Sequence, residues 1–349
     1  MKKSIGYNKY KLRILMPIML IILLALVIIA TAVGTVNVPF LQVVKIILKQ
    51  LGIWKSVSVD ENFSYIIFYI RLPRVLVAVL VGAALSTSGA VMQGMFRNPM
   101  ADPGIIGVSS GASLGAVIAI ALGLSTASFF FLPLFASAGA LLVAFVIFVL
   151  SVRGGKVPVL TLVLSGIAVS MFVGAVSSVI LTIINHEQVS QFVFWNMGGL
   201  NNSMWEHVKI AVIPIAACVI IILAFSRDLN LLLIGEEESH SVGLNPSRTR
   251  KILLFLATVA TATAVSVSGN ISFVGLIVPH ILRLLFGPDH RILLPASAVG
   301  GAIFLVICDL IARTILIPRE IAVGIITSLL GAPYFLFLLI RAKKGANVL

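Results

Sequence analysis

The residues of this chain best suited to chemistry are few, and they stand inside apolar runs. Asp309 lies in a long apolar segment, with Arg313 one helical turn further on. A carboxylate at membrane depth is a functional suspect by default, able to relay a proton or couple an ion. The plainer role is an ion pair, because Asp and Arg at i,i+4 meet on one helix face, and that reading is favoured. Arg71 and Arg74 bracket Pro73 in an RLPR string at the start of another apolar run. With Arg313 and Arg319 they form a basic rim able to receive an acidic partner, charge pairs of that kind setting docking register and rate. Long cations at a span's end also snorkel to the interface without further purpose.

The remaining candidates are weaker. His280 follows Pro279, and His186, His207, His240 and His290 do not cluster with it. A packed or capping histidine is the better reading than a metal or haem ligand. Cys218 and Cys308 sit in apolar runs without disulfide or metal spacing. No P-loop, HExxH or nucleophile elbow occurs, so the chain shows no enzyme signature, no catalytic residue, no cofactor and no metal site.

A second kind of signal is punctuation. Ser86-Thr87-Ser88-Gly89 is followed by Asn98-Pro99-Met100-Ala101-Asp102-Pro103-Gly104 and then by Gly107-Val108-Ser109-Ser110-Gly111-Ala112. Irregular backbone near membrane depth survives only where protein or a watery cavity satisfies its polar groups. The stretch therefore predicts a transport pathway, with Ser86, Ser88, Gln93, Asn98 and Pro99 as lining candidates. Such a path is polar without being a charged cage, which suits cargo that must not be trapped.

The elements that must position these residues follow from composition. The chain is 60% hydrophobic and 11% charged, against about 25% charged in soluble domains. It is an all-α membrane protein. Hydropathy places ten spans near 12–33, 64–85, 105–124, 130–150, 158–182, 208–226, 251–268, 271–286, 292–317 and 321–340. Both termini then lie in the cytoplasm, and most of the 25 Lys and Arg fall on that side, as the positive-inside rule requires. The net charge of +13 is thereby explained without nucleic acid. The first span, about 20 residues long, exceeds a signal-peptide core and reads as uncleaved.

Between the spans, residues 34–63 contain an amphipathic outer helix with Phe40, Val43, Val44, Ile47, Leu48 and Leu51 on its apolar face. Residues 183–207 carry Trp195 and Trp205 and read as an outer helix and loop with aromatic anchors. The largest cytoplasmic loop, 227–250, is punctuated by Gly235 and Gly243, with Glu236, Glu237 and Glu238 placed to begin a helix and Pro246 to open another. Leu244 helps give it an apolar docking surface. Gly111 and Gly115, and Gly166, Ser170 and Gly174, let helices approach closely; the expected result is one compact bundle over 1–349. Ser266-Val267-Ser268-Gly269 echoes Ser86–Gly89 on the opposite side, as an inverted repeat would.

These strings carry a resemblance. RLPR (71–74), SGAVMQGMFRNPMADPGIIGVSSGA (88–112), GNISFVGLIVPHILRLLFGPDHR (269–291) and REIAVGIITSLLGAPYFLFLLIR (319–341) closely resemble the FecCD-type permeases, membrane subunits of type II ABC importers for ferric siderophores, haem and cobalamin. The resemblance runs over essentially the whole chain. It implies a ten-span subunit paired with a second permease subunit, identical or paralogous, with the path along their interface. It implies cytoplasmic ATPase subunits docked on the loop after the sixth span, here Gly235, Glu236, Glu237, Gly243 and Leu244. An extracellular or periplasmic substrate-binding protein is implied over Arg71, Arg74 and Arg313. The gate of relatives corresponds to residues near 154–161, which with the neighbouring span adds Lys156, Pro158, Thr161 and Ser165. This chain has Pro158 and Val159 where a relative has small hydroxyl residues.

The expected function is passage of a ferric siderophore through the cell membrane, with ATP hydrolysis on separate subunits. Haem or cobalamin are the alternative cargoes. An ion-coupled secondary transporter using Asp309 is a competing mechanism.

Overall fold

A computed structural model describes residues 9–346 except 35, 37, 51, 55–58 and 153–156. Every regular element among them is helical. Seven helices are long and apolar enough to cross a membrane, and three shorter apolar helices, Val108–Ala121, Val274–Phe286 and Val323–Leu338, complete the ten expected segments.

Helix α1 (Lys9–Ala32) runs from what we term the near face to the far face, where α2 (Phe40–Gln50) lies across its end. The chain returns through α3 (Glu61–Tyr65), a π-helical turn at Ile66–Arg71 and α4 (Leu72–Phe96). The π turn has a local cause. Pro73 has no N–H and crowds the preceding turn, and the Leu72 N–H reaches back to the Ile67 carbonyl instead of the usual i−4 acceptor. A 3₁₀ turn at Pro103–Ile106 leads into α5 (Val108–Ala121), then α6 (Leu124–Ala127), α7 (Phe131–Ser151) and α8 (Val159–Ile183). On the far face α9 (His186–Asn196) starts with a reciprocal cap between Asn185 and Gln188. Helix α10 (Trp205–Ala224) descends to α11 (Ser226–Ile234) and α12 (Glu236–Ser241) on the near face. Helices α13 (Pro246–Ser268), α14 (Val274–Phe286), α15 (His290–Thr314) and α16 (Val323–Ala346) finish the bundle.

The hub is α4, packed by α15, α13, α14 and α10. Its small residues permit backbone contact. A Cβ on Gly82 would strike the Gly301 carbonyl of α15, and one on Gly89 the Gly275 carbonyl of α14. Helices α5 and α7 meet the same way at Gly111 and Gly139. In lipid such close packing, with no hydrophobic gain between helices, is what drives association.

Four sequence expectations are corrected. The second span does not end near Leu85: α4 continues to Phe96, because nothing from Ser86 to Met95 breaks a helix, and Ser86-Thr87-Ser88-Gly89 is regular buried helix. Its echo instead ends α13, so the two strings do not occupy matching positions. The irregular backbone is displaced to 97–107 and to a second stretch, 270–273, ahead of the short α14. Helix α2 buries Val43 and Ile46 against Ala32, Val38 and Ile67, while Phe40 is exposed. Gly174 meets nothing within 4 Å in this chain, unlike Gly166, which abuts the Ile105 carbonyl.

The same substitution at two glycines tests the packing account. Gly89→Ala is expected to cost about 1–3 kcal/mol, the range for overpacking, because the Gly275 backbone must move. Gly174→Ala is expected to leave stability within about 1 kcal/mol. Thermal unfolding of the purified variants reads both; equal effects would refute the backbone contact.

Candidate functional site

The far-face polar cluster begins with a helix end. The last carbonyls of α1 have no intrahelical partner and carry the negative end of its dipole. Arg71, on the π turn, donates from Nη1 to Thr31 O at 3.0 Å and Ala32 O at 2.6 Å, and from Nη2 to Val36 O. Gly34 leaves room for its guanidinium. Arg313 donates to Ala30 O. Asp309 is 1% exposed. It takes Arg74 Nε on Oδ1 at 2.8 Å and faces Arg313 Nε from Oδ2 at 3.6 Å. The second separation is an ion pair beyond hydrogen-bond length. Glu320 Oε2 holds Arg74 Nη1 at 2.7 Å, with its side chain 32% exposed.

Arg71, Arg74 and Arg313 are thus buried, and within this chain their guanidiniums face α1 carbonyls and carboxylates instead of standing open as a rim. Arg319 is exposed beside them. The Asp309–Arg313 spacing was legible in the sequence; the nearer Arg74 partner, 235 residues away, was not, and Glu320 was missed although it adjoins Arg319.

Ser86, Ser88 and Gln93 are buried along α4. Ser88 Oγ donates to Ala257 O, and Gln93 Nε2 donates to the Gly275 and Leu276 carbonyls at 3.2 and 3.1 Å. Pro279 has no N–H, so the Gly275 carbonyl in the first turn of α14 lacks its usual helical partner and is left to accept from Gln93. Asn98 and Pro99 are exposed at the near face, Asn98 accepting the Met100 N–H at 2.9 Å. Pro158 is exposed at the start of α8, with Thr161 and Ser165 half-buried beyond it. The structure therefore separates the expected pathway residues into an interior α4 group and an α8 group, with no hydrogen bond between them among the described residues. Lys156 and the side chain of Glu236 lie outside the described residues. Asp102 Oδ1 caps the 3₁₀ turn by accepting the Gly104 N–H at 2.7 Å.

The near face carries a platform. Gly235, buried with φ 156°, turns α11 into α12, a conformation that favours glycine. Ser239 Oγ bonds back to Leu231 O at 2.6 Å. Glu237 and Gly243 are exposed, and Leu244 packs against the core. A cavity of about 290 Å³, lined by Val157, Glu237, His240, Pro246 and Arg250, opens between α12 and α13. Two polar ties join the platform to the bundle. Arg97 Nη2 donates to Leu232 O at 2.7 Å. Asn230 Nδ2 donates to Asp289 Oδ1 at 2.6 Å, while Asn230 Oδ1 accepts the His290 N–H at 2.9 Å. Asp289 is the N-cap of α15. The one signal for this in the sequence is a lone Asn within an apolar run.

Helices sufficient for ten crossings, buried polar groups on three levels and a two-helix platform at one face define a multi-pass membrane permease. Residues 20–341 match the FecCD transport family, and the chain belongs to that family. It is 47% identical over 288 residues to the cobalamin import system permease protein of Halobacterium salinarum, covering 81% of this chain and 75% of that one. It is 41% identical to the hemin transport system permease protein of Yersinia pestis, covering 95% and 97%. A solved metal-chelate type ABC transporter in an inward-facing conformation superposes with a TM-score of 0.80 at 32% identity, covering 94% of this chain and 99% of that one. The protein is accordingly a permease subunit of an ABC importer, a transport component and not an enzyme.

Two substitutions at the far-face cluster separate buried from exposed charge. Asp309→Asn leaves Arg74 and Arg313 buried without their shared carboxylate, and is expected to cost about 3–5 kcal/mol. Glu320→Gln, at a partly exposed side chain, is expected to cost no more than about 1 kcal/mol. Thermal melts in detergent distinguish them, and a stable Asp309→Asn protein would remove the cluster from its structural role.

Proposed function

We propose that this permease receives a ferric siderophore from a substrate-binding protein at the far face and releases it into the cytoplasm at the near face. Two cytoplasmic ATPase subunits drive it through α11 and α12, and a second permease subunit, identical or paralogous, completes the path. The observation that carries this reading is the α11–α12 platform and its ties to both α4 and α15. A force applied there reaches the hub helix through Arg97 and the far-face cluster through α15. Exposed apolar side chains on α8 and α16, among them Leu160, Leu164, Met171, Phe172, Leu329 and Phe337, supply surface for lipid and for the second subunit.

The near face is read as cytoplasmic, with both termini there, because Arg97, Arg227, Arg248, Lys251 and Arg291 gather on it. Arg74 is the cation proposed to meet an acidic residue of the binding protein, with Glu320 as the carboxylate an incoming one would exchange with, while the buried Arg71 and Arg313 hold the cluster in place beneath it. Haem or cobalamin is the second reading of the cargo, favoured by the names of the two relatives above. An Asp309-coupled carrier is disfavoured, since that carboxylate is buried between two arginines, as a structural ion pair is.

Co-purification from native membranes tests the class, and uptake of ferric siderophore, hemin and cobalamin by a deletion strain tests the cargo. An attached ATPase with loss of ferric-siderophore uptake alone supports the proposal. Loss of hemin or cobalamin uptake instead reassigns the cargo. Asn230→Ala is expected to leave the ATPase attached and hydrolysing while uptake per ATP falls about tenfold, within the range of couplings carried by a packed network. Unchanged uptake per ATP would sink the platform route.

A further inference from the structure

Asp102 is a half-buried carboxylate that the transport reading leaves unused. It lies on the irregular segment between α4 and α5, entering from the near face. The irregular segment 270–273 enters from the far face, running from Gly269, which abuts the Trp195 carbonyl, down to Gly275, which abuts Gly89. Gly89 is seven residues above the end of α4, about 10 Å into the bundle. The two irregular segments therefore meet inside the protein, and Asp102 stands at the junction. Its Oδ2 would lie 3.3 Å from a Cβ on Gly275. Asp309 has two arginines, whereas Asp102 has no cationic side chain among its described partners.

The junction holds a partly open cavity of about 30 Å³ lined by Asp102, Ser109, Thr261, Ile271 and, at its exposed edge, Ser272. Thr261 is 3% exposed, and its Oγ1 has no hydrogen-bond partner. A void of this size admits one or two water-sized particles. Its polar side-chain atoms are all oxygens. Oxygen-only surroundings suit hard cations and not the soft metals that need sulfur or imidazole. A single carboxylate balances one positive charge. Unwound backbone between half-length helices is where transporters place such ions.

We propose that this cavity binds a small monovalent cation, with Asp102 as the charged ligand and the hydroxyls of Thr261, Ser109 and Ser272 as neutral ones. The ion ties segment 97–107 to segment 270–273 and so fastens the start of α5 to the start of α14. It neutralises a half-buried carboxylate that has no cationic partner among the described residues.

The test uses the purified full-length permease. Its melting temperature is followed by tryptophan fluorescence while NaCl replaces choline chloride at constant ionic strength, at a pH that ionises carboxylates. A saturable rise of about 2 °C or more is expected, as for a ligand that binds the folded state. It should vanish in Asp102→Asn and in Thr261→Val, and persist in Glu320→Gln. If neither cavity variant can be purified, the wild-type series in Li⁺, Na⁺ and K⁺ decides: a saturable preference for one ion over the others at equal ionic strength sustains the site. A flat wild-type response to all three overturns it, leaving a protonated Asp102 beside water. A rise that survives in both cavity variants places the ion elsewhere and overturns it equally.

Discussion

Asp309 holds Arg74 at 2.8 Å and Arg313 at 3.6 Å, and through those arginines and Arg71 the far ends of α1, α4 and α15 become one unit. The arrangement follows from the medium. Inside a bilayer a charge or a bare carbonyl has no water to turn to, so each must find a partner within the protein. The ends of helices supply acceptors wherever guanidiniums are at hand. Arg71 and Arg313 take carbonyls that α1 cannot satisfy itself, and Asp309 offsets part of the positive charge this brings in. Glu320 completes the set from the exposed loop, which makes Arg74 the member in touch with the far surface.

Beneath that cluster the bundle is built on small residues. Gly82 against Gly301 and Gly89 against Gly275 let α4 touch two neighbours backbone to backbone, so α4 cannot shift without carrying α14 and α15. The short helices α5 and α14 contribute the opposite property. Each is preceded by chain that is not α-helical, and polar groups gather at those points: Gln93 on the first carbonyls of α14, Asp102 on the turn before α5. The rigid hub and the unwound segments lie side by side, an arrangement in which a helix can be held fast at one end and released at the other.

The near face supplies the handle. Asn230 on α11 bonds Asp289 and His290 at the head of α15, while Arg97 at the foot of α4 bonds Leu232. Displacement of the two platform helices is therefore passed to the two helices that end in the far-face cluster. Under the proposed function, this is the route by which ATPase subunits docked on the platform would act on the far-face cluster.

Much of this was legible in the residues. Apolar run lengths marked the ten apolar helices found, seven long and three short, and the spacing of Asp309 and Arg313 determined one ion pair, because these depend on neighbours within a few turns. The punctuation in 86–112 marked the region where the backbone departs from helix, although it overstated the extent: Ser86–Gly89 contains nothing that stops a helix, and α4 runs through it. What only the tertiary structure decided lies across long separations in the chain. Arg74 chose Asp309 and Glu320, Arg71 chose the end of α1, Asn230 chose the head of α15, and Asp102 came to face Thr261 and Ser272. Each of those partners is fixed by which helices pack side by side, and packing is set by the shapes of whole faces, a property no local run of residues contains.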